Sequence, residues 1–258
     1  MGTLIFSRLN LQNKSTSPLF GVSGWRVHTF ERVTSTMDVA HRLAAEGAPE
    51  KTLVWAARQE QGRGRQGRAW ASPEGGLYLS LILRPKRSSG EAPQLALIAG
   101  LAAAEMLRDV ARLYPSIRWP NDLLIKERKV GGILTEAKDG AVVTGIGINV
   151  TTDPISLPDG STSLVAEGAG HVKWEDLVTG LCRRFETRYD TWTMDGFAPI
   201  REALRPWIGL FGHPVHLTAG TQRLEGTAQD LDEQGRLVVR LDSGVRRTFD
   251  AGEVTLLR

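Results

Sequence analysis

Gln59-Glu60-Gln61-Gly62-Arg63-Gly64-Arg65-Gln66-Gly67-Arg68-Ala69-Trp70 mixes three glycines with three arginines and closes on an indole, and several architectures compete for it. Gly62, Gly64 and Gly67 satisfy the spacing of a dinucleotide fingerprint, and residues 53–57 before them have strand character. That fingerprint needs a long helix opening at its third glycine, so that the helix N-terminus faces a pyrophosphate. Ala69-Trp70-Ala71-Ser72-Pro73-Glu74-Gly75-Gly76 is turn chemistry instead. No acidic residue stands about 20 positions on, where a ribose would need one. A kinase-type glycine loop lacks its valine two places after Gly67. Arg-Gly tracts that bind nucleic acid are longer and repetitive, whereas this segment occurs once, between strand-like flanks. Two readings survive. One is a glycine-jointed loop that brings backbone N–H groups and guanidinium forks to a polyanion, with an indole to stack on a flat ring. The other is a solvated turn that happens to be basic.

The rest of the composition narrows the setting. The chain has 258 residues, 41% hydrophobic and 24% charged, which is ordinary for a globular protein with one large domain or a large and a small one. A net charge of +3 suits an anionic small substrate or an acidic partner and does not argue for bulk nucleic-acid binding. One cysteine, Cys182, excludes an internal disulfide and a cysteine metal cluster, and its place in a helical pattern marks it as core packing. No apolar run reaches membrane-spanning length. Residues 1–24 are Ser/Asn-rich without a signal-peptide core, so they read as an N-terminal extension on a cytoplasmic protein.

Periodicity supplies the elements. Residues 28–33 predict a strand; Thr34-Ser35-Thr36 then opens a helix, with Asp38 placed as in a capping box, that stops at Gly47. Residues 53–57 and 77–83 predict strands on either side of the basic loop, and residues 94–113 an Ala-rich helix buried against a sheet. Residues 116–119, 123–125, 132–137 and 141–150 predict further strands joined by tight turns. Short hairpin-linked strands with helices between them indicate an α+β fold, a mixed sheet with packed helices. Helices are predicted over 174–194 and 200–208. After Gly209 the texture changes to short β-patterned runs at 215–217, 223–231, 237–241 and 246–250, which predict a small C-terminal β-barrel docked on the main domain. The implied organisation is residues 1–24, 25–210 and 211–258.

Other motifs join the loop. In Arg118-Trp119-Pro120-Asn121-Asp122 the proline biases Trp119 to an extended conformation, and Asn-Asp form a polar turn. Lys129 precedes Gly131-Gly132 and an apolar strand, an odd setting for a surface lysine, since bare positions let a ligand approach closely. Gly145-Ile146-Gly147-Ile148-Asn149 is a strand with two bare positions on which something can lie flat.

Taken in order, Ser35-Thr36-Met37, residues 59–70, residues 119–134 and residues 145–149 resemble the biotin–protein ligases, over roughly residues 25–258. The resemblance implies a mixed sheet with helices, as in class II synthetases and lipoate ligases, followed by an SH3-like module. It implies formation of biotinyl-5′-AMP from biotin and ATP with Mg²⁺, then transfer of biotin to one lysine of a biotin carboxyl carrier domain on a biotin-dependent carboxylase. By the same resemblance Ser35, Thr36, Met37 and Gln59 border biotin, Gly62, Arg63, Gly64 and Arg65 belong to the loop closing over biotin and phosphates, and Trp70 covers adenine. Asn121 and Asp122 fall on the nucleotide and metal side without separate roles. Lys129, followed by Gly132, meets the biotin carboxylate, and Asn149 fits a nucleotide contact. Arg63, Arg65 and Lys129 are the expected catalytic cations, and no protein metal-ligand cluster is expected. No DNA-binding domain is expected ahead of the catalytic region, and a homodimer is compatible. The alternatives are a lipoate or octanoate ligase of the same fold, which needs less ring-directed polarity than Ser35-Thr36 with Gln59 offers, and a nucleic-acid-binding protein.

Overall fold

The computed structural model describes residues 22–256 except 88, 220, 221 and 251. The predicted N-terminal extension therefore falls outside the described residues except for its last three. Chain order is β1 (Arg26–Val33), α1 (Thr36–Ala45), β2 (Thr52–Gln59), β3 (Gly76–Leu83), α2 (Ala92–Ala111), β4 (Ser116–Arg118), β5 (Asp122–Ile125), β6 (Arg128–Lys138), β7 (Ala141–Asn149), α3 (Trp174–Asp195) and α4 (Ala198–Leu204). Five strands follow: β8 (Pro214–Ala219), β9 (Gln222–Leu231), β10 (Leu237–Leu241), β11 (Arg246–Phe249) and β12 (Glu253–Leu256).

The first seven strands form one sheet in the order β1-β2-β3-β7-β6-β5-β4. Only β1 and β2 run parallel, joined through α1, and every other pair is antiparallel, so the sheet is mixed as its sequence pattern requires. Strands β3 and β7 lie at its centre and are buried along their whole length. The two-residue period of a strand sorts their side chains onto opposite faces. Leu77, Leu79, Leu81 and Leu83 of β3 pack with α2 in the larger core, while Ile82 packs with Val143, Val39 and Ala40 beneath α1. On β7 the same alternation sends Ile146 and Ile148 to the larger core and leaves Gly145 and Gly147 on the α1 face.

Helix α3 backs α2 and carries an aromatic run of its own: Trp25 meets Phe185 edge-on, and Phe185 stacks on Tyr189 at 5.7 Å. Cys182 is fully buried in this layer, and burial pushes its thiol pKa up to about 12. Gln94, on α2, accepts from the Trp192 indole at 2.5 Å and donates to Glu233 O at 3.0 Å.

The second sheet corrects the expected barrel. Its order is β11-β10-β9-β8-β12, and it is open: β11 and β12, four residues each, occupy opposite edges and do not pair. The apolar side chains that a barrel would enclose, among them Val215, Leu217, Leu237 and Val239, belong to the same contiguous core as α2 and α3. Trp119 Nε1 donates to Gly235 O across the junction at 3.1 Å. Docking on the larger layer buries this face, so closure has no further apolar surface to remove from water. Strand β12 and the first residues of β6 were absent from the sequence expectation.

Gln94→Leu is expected to leave the Trp192 N–H and the Glu233 carbonyl without partners, at about 1–3 kcal/mol for each group. Urea denaturation checks this: the midpoint falls while the slope of the transition stays the same.

Candidate active site

A cleft of about 360 Å³ opens on the α1 face of the seven-stranded sheet, with its far wall supplied by β12 through Val254 and Thr255. Its floor is bare backbone. Gly132 and Gly147 are direct partners across β6 and β7, and Gly145 lies two residues before Gly147 on the same face. A Cβ at Gly145 would come within 2.9 Å of Met37 Sδ, and one at Gly147 within 2.6 Å of Trp70 Nε1. At Gly132 the same test gives 3.2 Å to Trp70 Cζ3. The indole of Trp70 therefore lies on glycines that no side-chain-bearing residue could replace without displacing it. Its Nε1 is buried and has no hydrogen-bond partner.

One end of the cleft is a polar relay at the start of α1. Ser35 caps that helix, its Oγ accepting from Met37 N at 3.3 Å, and Ser35, Thr36 and Met37 are all buried. Gln59, the last residue of β2, accepts from Thr36 N at 2.8 Å and from Thr36 Oγ1 at 3.0 Å. Ser80 donates to Thr36 Oγ1, Gln59 Nε2 donates to Ser72 Oγ, both at 2.8 Å, and Ser72 donates to Trp70 O at 3.0 Å. The Thr36 and Ser72 hydroxyls each both give and receive, which fixes the orientation of Thr36 and of the Gln59 amide. Asp38 does not complete a capping box; its carboxylate turns to Arg63 at 3.1 Å.

The other end is cationic. Arg63, Arg65, Arg68, Arg118 and Lys129 line the cleft against one lining carboxylate, Asp122, so the site suits a polyanion. Lys129 Nζ lies 2.7 Å from Asp122 Oδ1 and 5.2 Å from the Trp70 ring centroid, within cation–π range. Arg63 reaches Glu136 Oε2 at 3.2 Å as well as Asp38, and the same Glu136 oxygen lies 2.8 Å from His41 Nε2. Arg65 donates to Asn121 Oδ1 at 3.1 Å, and Asn121 Nδ2 donates to Ile133 O at 3.0 Å.

The basic loop itself is a folded strap. Arg63 and Ala69 form an isolated antiparallel bridge, Trp70 N donates to Gly62 O at 2.8 Å, and Gly64 N donates to Arg68 O at 2.7 Å. Gln66 and Gly67 turn the tip with φ of 57° and 73°. Gly62 sits at the base, where a Cβ would be 2.4 Å from Trp70 O.

Of the fourteen residues singled out in the sequence, twelve line this one cleft: Ser35, Thr36, Met37, Gln59, Arg63, Gly64, Arg65, Trp70, Asn121, Asp122, Lys129 and Gly132. Gly62 lies beneath the loop rather than on the wall. Asn149 also lies off the wall; it is buried, donates to Thr162 O at 2.9 Å, and its Oδ1 has no partner. Sequence reasoning did not single out Arg118 or the β12 residues as part of the site. Nor did it find Glu136, whose position on β6 faces α1 only once the register is known.

Two family descriptions match the chain in succession: Biotin/lipoate A/B protein ligase family over residues 29–153, and Biotin protein ligase C terminal domain over residues 210–257. The biotin–[acetyl-CoA-carboxylase] ligase of Paracoccus denitrificans is 35% identical over 240 residues, covering 86% of this chain and 97% of that protein. The chain belongs to the biotin–protein ligases. The bifunctional ligase/repressor BirA of Bacillus subtilis is 34% identical over 240 residues, 89% of this chain and 74% of BirA. The solved biotin protein ligase of Aquifex aeolicus, in complex with biotin and ATP, superposes with a TM-score of 0.78 at 29% identity, covering 90% of this chain and 98% of that one. The activity of this biotin–protein ligase is ATP-dependent: it forms biotinyl-5′-AMP and biotinylates a carrier-protein lysine.

Gly147→Ala is expected to lower the melting temperature by pushing the Trp70 indole off the floor. In a Trp70→Ala background the same substitution should be close to neutral. A full penalty in both backgrounds would show that the close approach of ring and glycine is not what the site depends on.

Proposed function

We propose that the two ends of the cleft divide the substrates of this ligase between them, with biotin's ring at the Ser35–Thr36–Gln59 relay and the triphosphate under the arginine strap. The observation that carries this is the convergence of Arg63, Arg65 and Lys129 on the cleft that also holds Ser35, Thr36, Met37 and Gln59. Biotin's ureido group presents a carbonyl and two N–H groups, which suits hydroxyls and an amide whose orientations are already set. Met37 on the cleft wall gives the bicycle an apolar contact.

In the first half-reaction a carboxylate oxygen of biotin attacks the α-phosphorus of ATP, and pyrophosphate leaves. The nucleophile is already ionised at neutral pH, so no general base is needed. The barrier lies in bringing two anions together, and the site's task is to neutralise and align them. Lys129 meets the biotin carboxylate and the α-phosphate, and Arg63 and Arg65 meet the phosphates, each contact being worth about 2–4 kcal/mol in the transition state. In the resting protein these three cations already face Asp122, Asp38, Glu136 and Asn121. Substrate oxygens take over from those partners, so the cations are never left bare.

Among the described residues no group of three His, Cys, Asp or Glu side chains is placed to hold a metal. Mg²⁺ would arrive with the nucleotide; Asp122 is the carboxylate on the cleft wall that would help to hold it, and the ion would supply further neutralisation of phosphate charge. Trp70 covers adenine, and the unpartnered Oδ1 of Asn149 supports its reading as an acceptor on the nucleotide side.

In the second half-reaction the neutral amine of a carrier lysine attacks the acyl carbon and AMP leaves. The strap keeps water from the mixed anhydride until the carrier arrives. Residues 25–210 serve as the catalytic unit and residues 211–258 as a C-terminal unit whose β12 completes the cleft. No helix among the described residues is long and apolar enough to cross a membrane. The reading places the enzyme in the cytoplasm with a biotin carboxyl carrier domain as its partner. A homodimer, formed by sheet extension or by ordering of the Gly/Arg loop, is compatible with this reading.

The test is biotin-dependent ATP–pyrophosphate exchange. Lys129→Ala is expected to cut kcat/KM for biotin by roughly 30- to 1,000-fold, the kinetic equivalent of about 2–4 kcal/mol, with an unchanged circular-dichroism spectrum. Wild-type kinetics in that variant would remove Lys129 from the reaction, and exchange supported by lipoate in place of biotin would reassign the polar end of the cleft.

A further inference from the structure

Lys129 is held at its backbone by residues that do not themselves line the cleft. Its N–H donates to Gly160 O at 2.8 Å, and its carbonyl accepts from Thr162 N at 2.9 Å. Ser161, between them, forms an isolated parallel bridge with Lys129. A strap at residues 160–162 therefore acts as a short extra strand alongside the start of β6. The turn leading into β6 is a strained one, since Lys126 and Glu127 both take left-handed conformations, with φ of 49° and 64°. Two-residue hairpin turns of this form favour asparagine and glycine, and neither is present.

One carboxylate joins the strap to the turn. The side chain of Glu167 is 1% exposed. It accepts from Thr162 Oγ1 at 2.7 Å, pairs with Arg128, and lies 3.3 Å from Lys126 Nζ. Burial alone would raise its pKa; the Thr162 hydroxyl and the charges of Lys126 and Arg128 outweigh burial and hold it below the usual carboxylate value. A buried carboxylate that touches nothing in the cleft, yet ties together the residues on both flanks of Lys129, has its effect through that lysine.

We propose that Glu167 is a positioning residue for Lys129: by clamping Thr162 and the Lys126–Arg128 turn, it fixes the point from which the lysine ammonium reaches the reacting carboxylate. The inference rests on the assignment of Lys129 to the biotin carboxylate. Without the clamp the strap and turn are free to separate, the base of the lysine drifts, and the ammonium returns to Asp122. Binding of ATP relies chiefly on the arginine strap across the cleft and is affected less; its link to the clamp is Asn149, whose Nδ2 donates to the Thr162 backbone carbonyl and not to the hydroxyl that Glu167 binds.

The test is a double-mutant cycle in biotin-dependent pyrophosphate exchange with Glu167→Gln and Lys129→Ala. Glu167→Gln is expected to lower kcat/KM for biotin about tenfold, a loss of roughly 1.4 kcal/mol, with KM for ATP changed less than twofold. In the Lys129→Ala background it should have no further effect. A merely structural role lowers activity equally in both backgrounds and raises both KM values, and that outcome overturns the proposal, as does wild-type behaviour of Glu167→Gln. If Lys129→Ala alone leaves biotin kinetics unchanged, the assignment of Lys129 falls first and separately. Thr162→Val, which removes only the hydroxyl that Glu167 binds, gives the same readout should Glu167→Gln fail to fold, and Thr162→Ser is expected to restore the wild-type value.

Discussion

Five cations share one cleft, and the protein tolerates that only because each faces something negative or polar before substrate arrives. Lys129 has Asp122, Arg63 has Asp38 and Glu136, Arg118 has Glu127, Arg65 has the Asn121 amide oxygen, and Arg68 has the Arg65 carbonyl. Partly exposed pairs of this kind add little to stability, because water screens them and long side chains lose freedom in forming them. Their value is arrangement. They hold guanidinium and ammonium groups at fixed points around a polar space, so binding an anion exchanges one partner for another instead of collecting scattered charges. A transition state that gathers negative charge then meets donors already in place, which is where electrostatic catalysis draws most of its strength.

The sheet makes this possible by sorting chemistry between its faces. On β3 the odd-numbered leucines go to the large core, while Ser80 turns to the α1 face and donates to Thr36. On β7 the isoleucines go to the core, and Gly145 and Gly147 leave the opposite face bare. A slip of one residue in β7 would bury the glycines and project isoleucines into the cleft. The central position of β3 and β7, buried on both faces, is what pins that register.

These elements were legible in the sequence wherever local pattern and final packing agree. Ser35 as a helix cap, the buried α2, the strands around the basic loop and the absence of a helix after Gly67 all follow from nearest-neighbour chemistry. The bare strand at 145–149 also announced that something lies flat on it, although the resting occupants are Met37 and Trp70. What could not be read depends on distant partners. Glu136 and Asp38 meet at Arg63 only because β6 and α1 share one face of the sheet. The small C-terminal strands carry the alternation that a barrel would have, and only the proximity of α2 and α3 leaves the sheet open and docked. Asn149, expected at the nucleotide from the resemblance alone, donates its amide N–H to Thr162 O and leaves its Oδ1 without a partner.

The glycines of the basic loop separate into roles that their spacing does not distinguish. Gly62 is set by space, since any side chain there strikes the Trp70 carbonyl, and Gly67 is set by backbone conformation, since it turns the tip with positive φ. Gly64 has an extended backbone open to any residue, with φ of −117° and ψ of −179°, and a Cβ there would lie 3.3 Å from Arg68 O. Two of the three glycines therefore shape a folded strap, and none of them is needed to make it loose. The strap's attachment to the protein runs through its charges: Arg63 ties it to α1 and β6, and Arg65 ties it to the β4–β5 turn. Those are the same side chains that the phosphates would draw away. On the proposed reading the phosphates would take over those two guanidinium groups and hold the strap over the cleft in place of the resting tethers.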